Sequence, residues 1–120
     1  ELRFDFAPYC AEERYDPRNP AHHWMIVAPD GRAIGGLSAR WMTYSNAPAR
    51  WEWVWVWVIP SERRNRHTQR CWDMLCDRFP SIEPQTPLSI PVAKFFINRT
   101  DVSDRTRAFA KRALADPEMA

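Results

Sequence analysis

The most regular stretch of the chain runs from Trp51 to Val58. There WEWVWVWV sets Trp51, Trp53, Trp55 and Trp57 on one face of an extended segment and Glu52, Val54, Val56 and Val58 on the other. Both faces are apolar for most of this length, which predicts a central strand covered on both sides. Before it, Trp24 to Val27, a turn around Asp30-Gly31 and a second strand from about Ala33 to Thr43 read as a hairpin, with Gly35-Gly36 marking a bulge or bend. SNAPAR is the turn into the tryptophan strand.

Pro60 stops that strand, and Ser61-Glu62 can start a helix whose apolar residues Cys71, Trp72, Leu75 and Phe79 recur at helical spacing until Pro80. Downstream, the pattern predicts a brief strand at Ser81 to Glu83 and a helix in LSIPVAKFFINR, with Ser89 as cap and Pro91 in its first turn. An amphipathic helix follows, starting at Ser103 or Asp104, with Ala108, Phe109, Arg112 and Leu114 in its middle turns. Upstream, Leu2, Phe4 and Phe6 alternate in a short strand, one or two helical turns come after Pro8, and a loop from Asp16 to His23 leads to the sheet. The element order predicts an α/β (α+β) fold, an antiparallel meander flanked by helices.

At 120 residues the chain is expected to form one domain, 1–120, with a core that needs neither disulfide nor metal; its first residue, Glu1, is compatible with a domain cut from a longer protein. Hydrophobic residues at 45% and charged residues at 27% predict a folded chain, with only the tail from Asp116 loose. The odd number of cysteines, three, and the lack of an apolar leader or membrane-length run predict a soluble, cytoplasmic protein. A net charge of +2 does not by itself argue for nucleic acid, so the placement of charge matters more than its sum.

That placement is informative at Arg63, Arg64, Arg66 and Arg70, which follow the proline-ended strand at a helix start. Unpaired N–H groups and the helix dipole favour an anion there, and guanidinium groups add charge-assisted contacts. The plainer reading is a solvated basic helix face.

An antiparallel meander, a central strand ended by proline, an arginine-rich turn and a helix together resemble the GCN5-related N-acetyltransferase (GNAT) family. The resemblance sits in WVWVIPSERRNRHTQRCWDMLCDRFP, Trp55 to Pro80. In that family a V-x-P strand end precedes R/Q-x-x-G-x-G/A, whose backbone N–H groups wrap the pyrophosphate of acetyl-CoA; here Val58-Ile59-Pro60 and Arg63 to Thr68 stand in that stretch. The resemblance implies a mixed central sheet and transfer of an acetyl group from acetyl-CoA to an amine. It implies cofactor contacts from Arg63, Arg64, Asn65, Arg66, His67 and Thr68, pantetheine and thioester contacts from the backbone of Val56 and Val58, and a catalytic base at Glu52.

Two departures stand beside it. Arg66 and Thr68 fill the family's two small positions, and Phe95 and Phe96 stand where a general-acid tyrosine is often found. They favour an alternative, a catalytically inactive GNAT-like domain that binds a protein partner through apolar surface. A third reading, nucleic-acid binding at the arginine-rich helix start, predicts steep salt dependence.

The remaining candidates have ordinary explanations. His67 and Cys71 share a helical face that Cys76 does not, so no metal set is expected. Cys10 reads as an inert buried thiol, His22-His23 as a surface or capping pair at a loop-to-strand junction, and the tryptophan row as core packing, with the alternative that some rings line an acceptor groove or a partner surface.

Overall fold

The computed structural model describes residues 2–7, 20–63 and 65–115, so the helical turns expected after Pro8, Cys10, Arg64 and the tail from Asp116 lie outside the described residues. The chain divides into two compact units, residues 1–82 and 83–120. In the first, strands β1 (Arg3–Ala7), β2 (Ala21–Val27), β3 (Ala33–Met42) and β4 (Arg50–Val58) pair in sequence order, each antiparallel to the one before. A 3-10 turn, Pro60–Glu62, leads into helix α1 (His67–Arg78), which packs against β4. The second unit holds β5 (Glu83–Pro84) and the paired helices α2 (Ile90–Phe96) and α3 (Asp104–Ala115). The architecture is therefore α+β, a sheet with helices.

Two bulges shape the sheet. Ile26 faces Gly35 while Val27 faces Ala33, so Ile34 is the extra residue on β3. The carbonyl of Ile34 accepts the N–H of Ile59 at 2.8 Å, which anchors the chain as it leaves β4. Gly35 and Gly36, expected as the bulge, instead admit close neighbours. A Cβ at Gly35 would stand 2.1 Å from the Trp57 carbonyl oxygen, and one at Gly36 would meet the Trp55 ring at 3.2 Å.

The second bulge corrects the simple alternation of β4. Ser38 faces Trp55 and Ala39 faces Trp53, which leaves Val54 without a counterpart on β3. Because the side-chain period is two, one extra residue reverses the facing of everything beyond it. Trp51 and Trp53 therefore share a face with Val56 and Val58, while Trp55 and Trp57 share the opposite face with Glu52. The two groups of tryptophans differ sharply in exposure: Trp53 is 5% exposed, against 42% for Trp55 and 51% for Trp57. The strand is not covered on both sides along its whole length, and of the tryptophan row only Trp53 is fully core, Trp51 being half-buried.

The inward half packs on α1. Trp51 stacks on Phe79 with ring centroids 4.3 Å apart, and Trp53 on Trp72 at 5.7 Å. Each such pair contributes about 0.5–1.5 kcal/mol beyond its buried area. Cys71, Trp72 and Leu75 are buried on the same helix, as their spacing predicts. The helix begins at His67 rather than at Ser61-Glu62, because the chain first makes the 3-10 turn and then passes through a left-handed residue, Arg66.

His22 and His23 belong to β2 and not to the loop before it. The His22 ring lies 5.1 Å from Trp51, 5.3 Å from Phe6 and 5.8 Å from Phe79, within an aromatic cluster, and His23 is buried. In the second unit Ser89 caps α2, its Oγ accepting the Val92 N–H at 3.4 Å, with Pro91 in the first turn. Ser103 caps α3 through the Thr106 N–H at 3.1 Å. The buried side of α3 falls on Thr106, Ala110 and Ala113, while Phe109 and Leu114 are only half-buried.

Two outcomes follow from this packing. Gly35→Ala should lower unfolding free energy by at least about 2 kcal/mol in urea denaturation, because its methyl meets backbone that cannot yield. Gly31→Ala, at a φ of 88° in an open turn, should cost only about 1 kcal/mol. The second outcome concerns pH. Burial first, then the charges of Arg78 and His23, hold the His22 imidazole below its usual range. The folded chain thus takes up this proton less readily than the unfolded chain. The stability His22 contributes is full above the ordinary histidine pKa of about 6.5 and is lost as pH falls through it toward the folded value. Melting curves between about pH 7 and pH 5 should show a shallower pH dependence for His22→Gln, His23 retaining its own share.

Candidate functional site

The residues singled out at the end of β4 gather at the start of α1. Arg66 adopts φ 61° and ψ 26°, the left-handed region that favours glycine, and holds it without one. For a side chain with Cβ this costs about 1–2 kcal/mol, a strain usually retained where the backbone path is needed. The conformation aims the following N–H groups into the first turn of α1, and no side chain caps them. The Arg66 side chain is exposed and makes no ion pair among the described residues.

Its neighbours are more occupied. Arg63 folds back, its Nε donating to the Val58 carbonyl at 2.7 Å, with the guanidinium 5.8 Å from the centre of the Trp57 ring. The Asn65 side-chain amide donates to Glu62 Oε2 at 2.8 Å, and Arg32 lies 3.6 Å from the other oxygen of Glu62, so this carboxylate is countered before it can repel an anion. His67 is buried at 9% exposure, and neither ring nitrogen has a hydrogen-bond partner. Thr68 is half-buried in the first turn of α1, and Val56 is half-buried within β4.

Glu52 lies elsewhere on β4, six residues before Val58 and roughly 20 Å along the strand. It is only 1% exposed. Its Oε2 accepts two bonds, from the Tyr44 hydroxyl at 2.5 Å and from Arg50 Nε at 2.8 Å, whereas its Oε1 is buried with no partner. The Arg50 guanidinium also lies over the Tyr44 ring, 4.5 Å from its centre. Burial first, then the bond to Glu52 and its charge, push the Tyr44 phenol up, so it remains a proton donor at neutral pH.

Tyr44 and Arg50 had no place among the candidates read from the sequence. Arg50-x-Glu52 is the one legible sign, since residues two apart on a strand share a face. Tyr44 sits in the turn after β3, where sequence spacing says nothing about which strand residue it reaches. On α2, Phe96 is buried and Phe95 is stacked against Arg99, and neither carries a proton to give.

The Cys71 thiol is quiet. Cys71 is fully buried and its pKa is pushed up to about 12 by that burial. Among the described residues no group of three or more His, Cys, Asp and Glu is arranged to hold a metal ion, and no helix is long and apolar enough to cross a membrane. Compared with protein-family models, curated proteins and solved structures, the chain matches none.

Replacing Arg66 by glycine should raise unfolding free energy by up to about 1 kcal/mol, measured by chemical denaturation, because the left-handed strain disappears while the more flexible unfolded chain offsets part of the gain.

Proposed function

We propose that the chain is a GNAT-like acyltransferase that moves an acetyl group from acetyl-CoA to an amine, carried by a small molecule or a protein. The observation that carries this reading is the start of α1: after β4 and the 3-10 turn, a left-handed residue opens a 12-residue helix whose first N–H groups have no side-chain cap. Such a turn is an anion cradle made of backbone. Arg66 and Arg63 supply positive charge beside it, with Asn65, His67 and Thr68 at the same turn, and the sequence adds Arg64 to the basic run. The unpartnered nitrogens of His67 suit a group that brings acceptors and donors of its own.

In this reading the cofactor supplies the activated acetyl group, and the residues of the chain bind and handle protons. The α1 start holds the pyrophosphate, and the β4 backbone from Val58 back past Val56 guides the pantetheine. The bulge at Val54 opens the ladder where the thioester must be reached. The stretch from Val58 to Glu52 is comparable to the reach of an extended pantetheine arm. Glu52 is the base. The acceptor ammonium gives up a proton that ends on it, the freed nitrogen bonds to the thioester carbonyl carbon, and the C–S bond breaks. The sulfur leaves as thiolate and takes the second proton released from nitrogen, giving the amide and the free thiol. The reading sets this reaction in the cytoplasm, in keeping with the buried Cys71 as a thiol.

A second reading has its own support. Arg63 occupies the Val58 carbonyl, and Met25, Trp55 and Trp57 form an exposed apolar set on the sheet. Both features suit a catalytically inactive GNAT-like domain that binds protein.

Calorimetric titration with acetyl-CoA separates the two. The enzyme reading expects heat of binding, a thermal shift, and weaker binding of a pantetheine thioester that lacks the nucleotide phosphates. Glu52→Gln should keep acetyl-CoA binding and lose about 100-fold or more in turnover with a responsive amine. No heat and no thermal shift at millimolar acetyl-CoA would sink the enzyme reading, and binding with no turnover on any amine favours the second.

A further inference from the structure

A base must meet the proton it removes, and Glu52 is sealed at 1% exposure. Tyr44 is not sealed. It is 37% exposed and belongs to a turn whose residues from Thr43 to Ala49 all face solvent, yet its hydroxyl donates to Glu52 Oε2 at 2.5 Å. One phenol thus joins the surface to the buried carboxylate. Its geometry is held from two sides: Arg50 Nε binds the same Oε2 at 2.8 Å, and the Arg50 guanidinium lies 4.5 Å from the centre of the Tyr44 ring. The ion pair keeps the carboxylate in one orientation, and the cation over the ring keeps the phenol against it. Arg40 lies directly opposite Glu52 on β3.

We propose that Tyr44 is a catalytic residue, the exposed end of a two-step proton relay through which the acceptor ammonium reaches Glu52. The assignment rests on the acetyl-transfer reading. The acceptor nitrogen docks against Tyr44 Oη. As the ammonium proton passes to Oη, the proton already on Oη passes to Glu52 Oε2. The nitrogen keeps its electron pair for attack on the thioester carbonyl carbon, Tyr44 ends as it began, and Glu52 ends protonated. After the C–S bond breaks and the thiolate takes the second nitrogen-bound proton, Glu52 returns its proton to solvent by the same path. The phenol is suited to this because it stays protonated at neutral pH and so always has a proton to pass inward.

The relay also fits the substrate class. A primary amine in its ammonium form presents donors to Oη, and the Trp55 ring lies exposed on the Glu52 face of the sheet, where it offers a π-face to a cation, the neighbouring Trp57 ring already facing the Arg63 guanidinium. The acceptor is therefore an alkyl amine that is charged in solution.

The test compares wild type, Tyr44→Phe, Glu52→Gln and the double variant in acetyl-CoA turnover with an alkyl amine, alongside acetyl-CoA binding by calorimetry and thermal melts. Tyr44→Phe keeps the ring but takes a donor from a buried carboxylate, so it should stay folded and melt several degrees below wild type. It should lower kcat about 100-fold with the acetyl-CoA affinity unchanged, and the double variant should be no slower than Glu52→Gln, because groups in one relay act as a unit. A proton inventory in mixed light and heavy water should be curved for wild type, reporting two protons in flight. A wild-type rate in Tyr44→Phe, a Tyr44→Phe loss that persists in full in the Glu52→Gln background, or a linear inventory each overturns the relay and leaves acetyl transfer standing. No turnover by the wild type overturns the transfer reading and the relay with it.

Discussion

One extra residue in β4 decides how this molecule uses its tryptophans. Without Val54 out of the ladder, the alternation would put all four indoles of the strand on α1, and that helix has aromatic partners for only two of them, Phe79 and Trp72. The bulge divides the set. Trp51 and Trp53 face α1, and Trp55 and Trp57 go with Glu52 to the other face. The indole N–H of Trp53 donates to the Trp55 carbonyl at 3.1 Å, so the kink is fastened by the side chain that precedes it. The buried carboxylate, the exposed indoles and the line of the backbone toward α1 all follow from that placement.

Much of the architecture was legible because it is periodic. The first hairpin, the tryptophan strand, the proline stop and the caps at Ser89 and Ser103 each leave a local signature that survives folding. The misreadings occur where a local signal has more than one backbone solution. A glycine pair in a strand signals close approach as well as a bulge, and here Gly35 yields to the Trp57 carbonyl while the bulge sits one residue earlier, at Ile34. A perfect alternation cannot announce a bulge, since every residue still fits one face or the other. A polar Ser-Glu pair after proline can open an α-helix or a 3-10 turn, and the left-handed Arg66 that decides between them is a conformation arginine seldom signals.

The candidate site was half legible for the same reason. Arg63 to Thr68 are contiguous, so a reading along the chain finds them together. The Tyr44–Glu52–Arg50 cluster joins a turn to a strand across eight residues, and its partners are fixed by the β3–β4 register rather than by spacing. The structure also changes what the loop asks of its residues. Glycine's absence reads as an obstacle in sequence, yet Arg66 takes the backbone conformation glycine would have supplied and adds a free guanidinium, so the departure affects stability more than shape.

The bulge has a consequence for descent. Val54 is the residue of β4 that faces nothing on β3, so a gene lacking its codon would encode a strand in which Trp53 still meets Ala39 and Trp55 still meets Ser38. Every side chain would keep its facing, and only the kink would vanish. Most single-codon losses in a buried strand scramble a core and are purged; this one leaves the packing pattern whole. Among homologues, a strand shortened at this point would mark lineages in which the kink had lost its use, and a retained Val54 would mark those that still need it.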